Sequence, residues 1–395
     1  MAMHIKMIQA IKPTLKPALF AGVALLGFIS STAVARAQLT CAYVNDNLPA
    51  ANGVEGYKIG AKSATHVGPT GTRGSGSAKN DPTFFGTPLI AIAPGTTHLY
   101  ASDSGTNDIA LFNIDASSCK LTFVANYPAQ GSSLFGLGIT ISQDGRFLYA
   151  TNSDRQSRLV VLPINGDGSL GAAVQTLNLP ANLSSLAIAP NAKVLIVTQP
   201  SATNQVQSYI IDAASGKVTF ASEVTTVAAA DGIAIDPHSK FVYVGNGGEG
   251  GSSAVQVIEI GQSASLTYVA NVVFNGIDNP AGIPGSSNCL LLSPNGKTLL
   301  FTNQRFANVI SLSVDSQTGG LTFIDMSNDG EGFVDEPSQM AASASRGLVF
   351  TGDFSTGAAP SMGVLRVTAN GTLKFLGNLP LKSKAAATSI ATVTF

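Results

Sequence analysis

Residues Ser142–Val174 read SQDGRFLYATNSDRQSRLVVLPINGDGSLGAAV. The stretch holds a turn at Asp144-Gly145, a β-run from Phe147 to Thr151, a polar loop, a second β-run from Leu159 to Ile164 and a tight turn at Asp167-Gly168. Aromatic and β-branched runs bounded by Asn, Asp and Gly are the local signature of antiparallel hairpins. The same phrase recurs along the chain. Aligned on the polar residue that closes one strand of each copy, it returns at Asp46, Asp103, Asn152, Gln199, Asn246, Asn303 and Asp353. The steps between these anchors are 57, 49, 47, 47, 57 and 50 residues. Three residues before each anchor stands Tyr43, Tyr100, Tyr149, Ile196, Tyr243, Leu300 or Phe350. A period of this length with several short strands per copy predicts a β-propeller.

The 395 residues are 45% hydrophobic and only 11% charged, with 41 Gly and 19 Pro, which suits a large sheet core joined by many tight turns. The formal net charge is −1 and the cations are spread along the chain, so no basic face points to a nucleic-acid partner. The chain has no Trp, which argues against blades carrying a Trp-Asp pair. At the start, Lys6, Lys12 and Lys16 precede an apolar run from Ala18 to Ile29, and small residues follow at Ala33, Ala35 and Ala37. This order predicts a signal peptide over 1–37, cleaved before Gln38, and a secreted or periplasmic domain over 38–395. No later segment is long and apolar enough to span a membrane.

Each copy reads as four strands, a to d from the axis outward. Counting from the copy with Tyr43, six copies supply their own inner strand, for example Gly138–Ser142 in blade 3 and Gly232–Asp236 in blade 5. The first copy begins at strand b, Thr40–Val44, while Thr388–Val393 at the other end reads as a strand a with nothing after it. The expectation is therefore an all-β, seven-bladed β-propeller with four antiparallel strands per blade. Its ring is closed by the N- and C-terminal strands sharing one blade. Strand d of blade 3 is expected over Ser169–Val174. The anchor Asp and Asn side chains are expected to bond the backbone of the following turn.

Export places the three cysteines where disulfides persist. Cys41 and Cys119 fall on the same face in neighbouring blades, so contact is conceivable, provided their Cα atoms come within about 7 Å. Cys289 opens an apolar run and reads as a buried, inert thiol.

The phrases Ser142–Ser153, Ser293-Pro-Asn-Gly-Lys297, Asp236-Pro-His-Ser-Lys-Phe-Val-Tyr-Val244 and Asp315-Ser-Gln-Thr-Gly-Gly-Leu321 resemble the seven-bladed lactonase-type propellers and the related YVTN-repeat surface proteins. The resemblance covers the mature chain and is specific for the fold. It implies hydrolysis of a lactone, 6-phosphogluconolactone being the best-known substrate of such proteins.

Residues that break the repeat on the b–c and d–a face are the candidates for chemistry. Arg155, Arg158 and Arg305 would supply cations for an oxyanion or a phosphate, Glu249 a further binding group, and Glu336 or Asp231 the base that orients water. His98 and His238 fall on the opposite face and His66 on an outer strand, so neither a Ser-His-Asp triad nor a histidine-rich metal site is expected. Asn165–Ser169 lacks the closing Glu of a calcium loop and reads as a turn. No cofactor and no metal are expected, and the protein should be monomeric. A second reading is a non-catalytic exported propeller that binds a carbohydrate, peptide or cell-wall component through the same face.

Overall fold

The structure is a computed structural model of the chain. It describes residues 38–60, 63–77, 87–130, 136–153, 157–179, 183–199, 204–246, 254–274, 287–303, 307–327, 337–344, 347–353, 361–382 and 389–395. These residues form seven four-stranded antiparallel sheets. In blades 2 to 7 the order in space follows the chain, a to d. Blade 1 is built from both ends: strand a is Ser389–Thr394, followed by Thr40–Asn45, Gly53–Ile59 and Ala64–Gly71. Tyr43 lies opposite Ala391 and Asn45 opposite Ser389, so the last strand seals the edge that the first would otherwise expose. No helix among the described residues is long and apolar enough to cross a membrane.

Alternation along the middle strands places apolar side chains in the gaps between blades. The core is therefore a series of clusters, one per gap, as where Tyr149, Leu159 and Val161 of blade 3 meet Leu186, Leu195 and Tyr209. In six blades the pairing of strands c and d slips by one residue near its middle, for example between Leu111 and Phe112 or between Ser311 and Leu312. Such a bulge adds twist where the outer strand must splay from its neighbours.

Blade 3 departs from the expected strand. Its outer strand is Gln175–Asn178, and the segment from Ser169 contributes only an isolated bridge between Ile164 and Leu170. Pro163, at the end of strand c, has no N–H to give the ladder, so pairing resumes only beyond it.

A polar bond stitches several of the gaps, in three of them from a tyrosine to the turn at the a–b face. The hydroxyls of Tyr43, Tyr100 and Tyr149 donate to the carbonyls of Cys119, Gly168 and Gly216, at 3.0, 2.7 and 2.9 Å. Each acceptor belongs to the residue with positive φ in the c–d turn of the next blade. Burial raises the phenol pKa of all three tyrosines, so they remain donors. At the seam between blades 7 and 1 the direction reverses, and Tyr57 of blade 1 donates back to Pro380 at 2.7 Å.

Cys41 and Cys119 form a disulfide between blades 1 and 2, with Cα atoms 5.6 Å apart. Cys289 is buried, and its thiol is pushed up to about 12 by desolvation.

Candidate functional site

The inner strands converge on the axis, and residues just before or early in them form a polar belt at the b–c and d–a end. Leu89 of blade 2 donates its N–H to Ser389 Oγ of blade 1 at 3.0 Å, and that hydroxyl donates to Gln339 Oε1 of blade 7 at 3.1 Å. Met340 N of blade 7 donates to Cys289 Sγ of blade 6 at 3.3 Å. Asp231 of blade 5 lies near enough to raise the Cys289 pKa further by its charge. The hydroxyl of Ser184 in blade 4 donates to Asp231 Oδ1, and Thr87 Oγ1 of blade 2 donates to the Ser184 carbonyl at 2.5 Å.

The belt thus passes six of the seven blades and steps over blade 3. The step is possible because that blade offers Gly138, where a Cβ would stand 2.9 Å from Leu186 Cδ2 and 3.0 Å from Thr87 Cγ2. Thr87, Ser184, Asp231, Cys289, Gln339 and Ser389 are all buried.

Asp231 is the carboxyl group of this belt. It is 1% exposed and sits second in strand a, Ala230–Ile235. Thr198 Oγ1 fixes its backbone by donating to the Asp231 carbonyl at 2.8 Å. A carboxylate held from both the main chain and the side chain has a defined direction, which a positioned base requires. Cys289 cannot act as a nucleophile here, because burial and the neighbouring carboxylate both hold it as the thiol.

Of the other expected site residues, only Arg158 is described. It begins strand c of blade 3, and Nη1 donates to the Gln130 carbonyl of blade 2 at 2.9 Å. Arg158 and Asp231 lie at the same end of the ring but are anchored on different blades. Glu336, Arg155, Arg305 and Glu249 lie outside the described residues.

The histidines fall where the repeat places them. His66 pairs with Glu55 on the outer part of blade 1, and His238 faces Asp236 in an a–b turn at 3.4 Å. Sequence reasoning missed Thr87, Ser184, Gln339 and Ser389. Each is a small or polar residue at the start of an inner strand, which is the only sequence signal they carry.

The anchor series is less uniform than expected. Asp46 Oδ1 does accept the N–H groups of Leu48 and Gly53 in its own loop. Asp103 instead takes side-chain donors from blade 1, Asn52 Nδ2 at 2.7 Å and Thr72 Oγ1 at 2.6 Å, and Asn152 Nδ2 donates to Asn107 Oδ1 of blade 2. The anchors reach backwards across the gap because the previous blade's loop, not their own turn, lies beside them.

Residues 85–181 match the family model described as Lactonase, 7-bladed beta-propeller. No curated protein matches the chain by sequence. Among solved structures, a putative 6-phosphogluconolactonase from Bacteroides fragilis superposes with a TM-score of 0.70 at 15% identity, covering 91% of this chain and 99% of that one. The periplasmic gluconolactonase of Pseudomonas aeruginosa gives 0.70 at 18% identity, covering 90% and 99%. Hydrazine synthase from Kuenenia stuttgartiensis also shares the fold, with a TM-score of 0.59 at 14% identity over 82% of this chain and 94% of that one. Likeness at such identities speaks for architecture and leaves chemistry to the site. The chain is a seven-bladed β-propeller of the lactonase type in its fold, and residues 85–181 carry that family's sequence pattern.

Proposed function

We propose that the protein is an exported lactone hydrolase that works at the b–c and d–a end of the channel. The observation that carries this reading is Asp231, a buried carboxylate oriented by Ser184 and Thr198 at the axis of a lactonase-type ring. In this reading a carboxylate, Asp231 or Glu336, takes a proton from water as its oxygen adds to the ring carbonyl. Arg158, Arg155 and Arg305 stabilise the oxyanion or an anionic substituent, and Glu249 contributes to binding. The ring C–O bond then breaks, and the proton passes to the departing alkoxide to give the hydroxy acid.

Export is supported by the basic, apolar and small-residue order of residues 1–37 and by the Cys41–Cys119 disulfide. The fold neighbour from Pseudomonas aeruginosa is a periplasmic gluconolactonase, which agrees with a sugar lactone outside the cytoplasm.

The test is turnover of a panel of sugar lactones, phosphorylated and not, by the purified protein, with spontaneous hydrolysis subtracted. Asp231→Asn or Glu336→Gln should lower the rate roughly 10²-fold or more, whichever carboxylate is the base. Turnover unchanged in both variants would remove them as bases. No turnover by the parent protein would leave the second reading, a propeller that binds a carbohydrate, peptide or wall component without catalysis.

A further inference from the structure

Asp103 closes strand b of blade 2 and lies opposite Asp108, the first residue of strand c. Asp103 is fully buried. Its Oδ1 accepts two hydrogen bonds from blade 1, from Asn52 Nδ2 and Thr72 Oγ1. Its Oδ2 and the Oδ1 of Asp108 are both buried and have no donor among the described residues. The backbone of blade 1 presses against Asp103: a Cβ on Gly74 would stand 2.4 Å from Asp103 Oδ2 and 2.7 Å from Thr106 Oγ1.

Among the described residues, the nearby charged groups are engaged elsewhere. The Arg73 guanidinium lies over the Phe123 ring, 4.1 Å from its centroid, and Asp46 Oδ1 takes the amides of its own loop. Among the described residues no group of three or more His, Cys, Asp and Glu is arranged to hold a metal ion.

Two carboxyl groups that face each other without a donor cannot both stay ionised in a dry gap. We propose that Asp103 and Asp108 share a single proton, and that this proton clamps the seam between blades 1 and 2 and makes the closed ring sensitive to alkaline pH. Asp103 holds the proton and donates it to Asp108 Oδ1, which satisfies both orphaned oxygens with one bond. Desolvation pushes the Asp103 carboxyl up to about 8, and Asp108 raises it while Thr72 and Asn52 oppose the rise.

The sign follows from linkage. An unfolded Asp ionises near 3.9, so the native state holds the extra proton between about pH 4 and pH 8. The contribution to stability is fully present below the unfolded pKa and is lost as pH rises through the folded one.

The location gives the loss a consequence beyond one bond. Asn52 Nδ2 also donates to the Ser102 carbonyl, and Asn45 Nδ2 to the carbonyls of Leu89 and Ser102. The clamp therefore sits beside the point where the chain end, through Ser389, joins the inner strand of blade 2.

The test compares thermal midpoints of the purified protein from pH 5 to pH 9, with Asp103→Asn and Asp108→Asn beside the parent. An amide at either position donates permanently to the remaining carboxylate. Each single variant should lose much of the decline that the parent shows between about pH 5 and pH 8, and exceed the parent at pH 9 by roughly 2–4 °C or more. The double variant should gain nothing further, because one amide already supplies the donor that the shared proton provided. A decline of the same size in all four proteins would overturn the proposal. So would a midpoint that rises with added calcium and falls on chelation in the parent alone, since that would place a cation between the carboxylates.

Discussion

Ser208 Oγ donates to the carbonyl of Ala264 at 2.6 Å and takes over in blade 4 the bond that tyrosine hydroxyls make in blades 1 to 3. The position three residues before the anchor, tyrosine in blades 1 to 3, is Ile196 in blade 4, which has no hydroxyl, and Ser208 lies directly opposite it on strand c. Blade 6 repeats the exchange: Leu300 lies opposite Ser311, whose Oγ reaches the Gly371 carbonyl at 2.7 Å. The acceptors Ala264 and Gly371 again have positive φ. In five gaps the bond to the next blade's turn thus recurs, and either of two facing strands can supply its donor; the Tyr243 hydroxyl of blade 5 is buried without a partner among the described residues.

Ser208→Ala should therefore destabilise the ring by roughly 1–3 kcal/mol, the cost of leaving a buried carbonyl without its donor. Chemical denaturation would read this as a lower midpoint with an unchanged slope. Adding Ile196→Tyr to that variant should recover part of the loss by restoring the phenol of the other blades. A double variant no more stable than Ser208→Ala would show that the tyrosine geometry does not transfer to this gap.

The seven blades and their closure were legible because hairpin grammar is local: strand runs and turn residues lie within one copy of the repeat. Arg158 could be placed on its face in the same way, from its position in a b–c loop. The Ser208 substitution for Ile196 was not legible, since a serine opposite an isoleucine means nothing until strand register and the neighbouring turn are known. The belt was hidden for the same reason. Thr87 and Ser184 are 97 residues apart and meet only because Gly138 lets two inner strands approach over a third. Asp103 stands in the anchor column with Asp46 and Asn152, and only its burial against Asp108 sets it apart.

Cys119 occupies a turn position that is glycine in blades 3, 4, 6 and 7, and it shares their positive φ, at 62°. A side chain in that region carries strain, which the disulfide to Cys41 offsets. The bridge closes a sequence separation of 78 residues, and chain entropy alone gives it about 4 kcal/mol of stabilisation. Replacing Cys41 by Ser together with Cys119→Ser should remove this and leave the strain. Replacing Cys41 by Ser together with Cys119→Gly should remove the bridge but relax the turn, and should be the more stable of the two by roughly 1 kcal/mol. Equal unfolding midpoints for the two double variants would show that the turn at Cys119 stores no strain.

Blade 1 is built from two segments far apart in the chain, and its innermost strand is supplied by Ser389–Thr394. Ser389–Thr394 pairs with Thr40–Asn45 along its full length, and Ile390, Ala391 and Val393 fill the gaps towards both neighbouring blades. Thr392 Oγ1 donates to the Ala342 carbonyl of blade 7 at 2.6 Å, and Ser389 joins the belt. Ending the chain at Ala386 would strip strand b of blade 1 of its partner and open an unpaired edge beside the axis. The truncated protein should lose its cooperative thermal transition or elute as aggregate on size exclusion. A synthetic peptide of residues 387–395 supplied during refolding should restore the compact form, since strand addition to an open edge is driven by the same main-chain bonds. Ser389→Ala keeps the ladder and removes two belt bonds, so it should stay folded with a modestly lower midpoint. A truncated protein that melts at the parent's temperature would mean that the ring closes without its last strand.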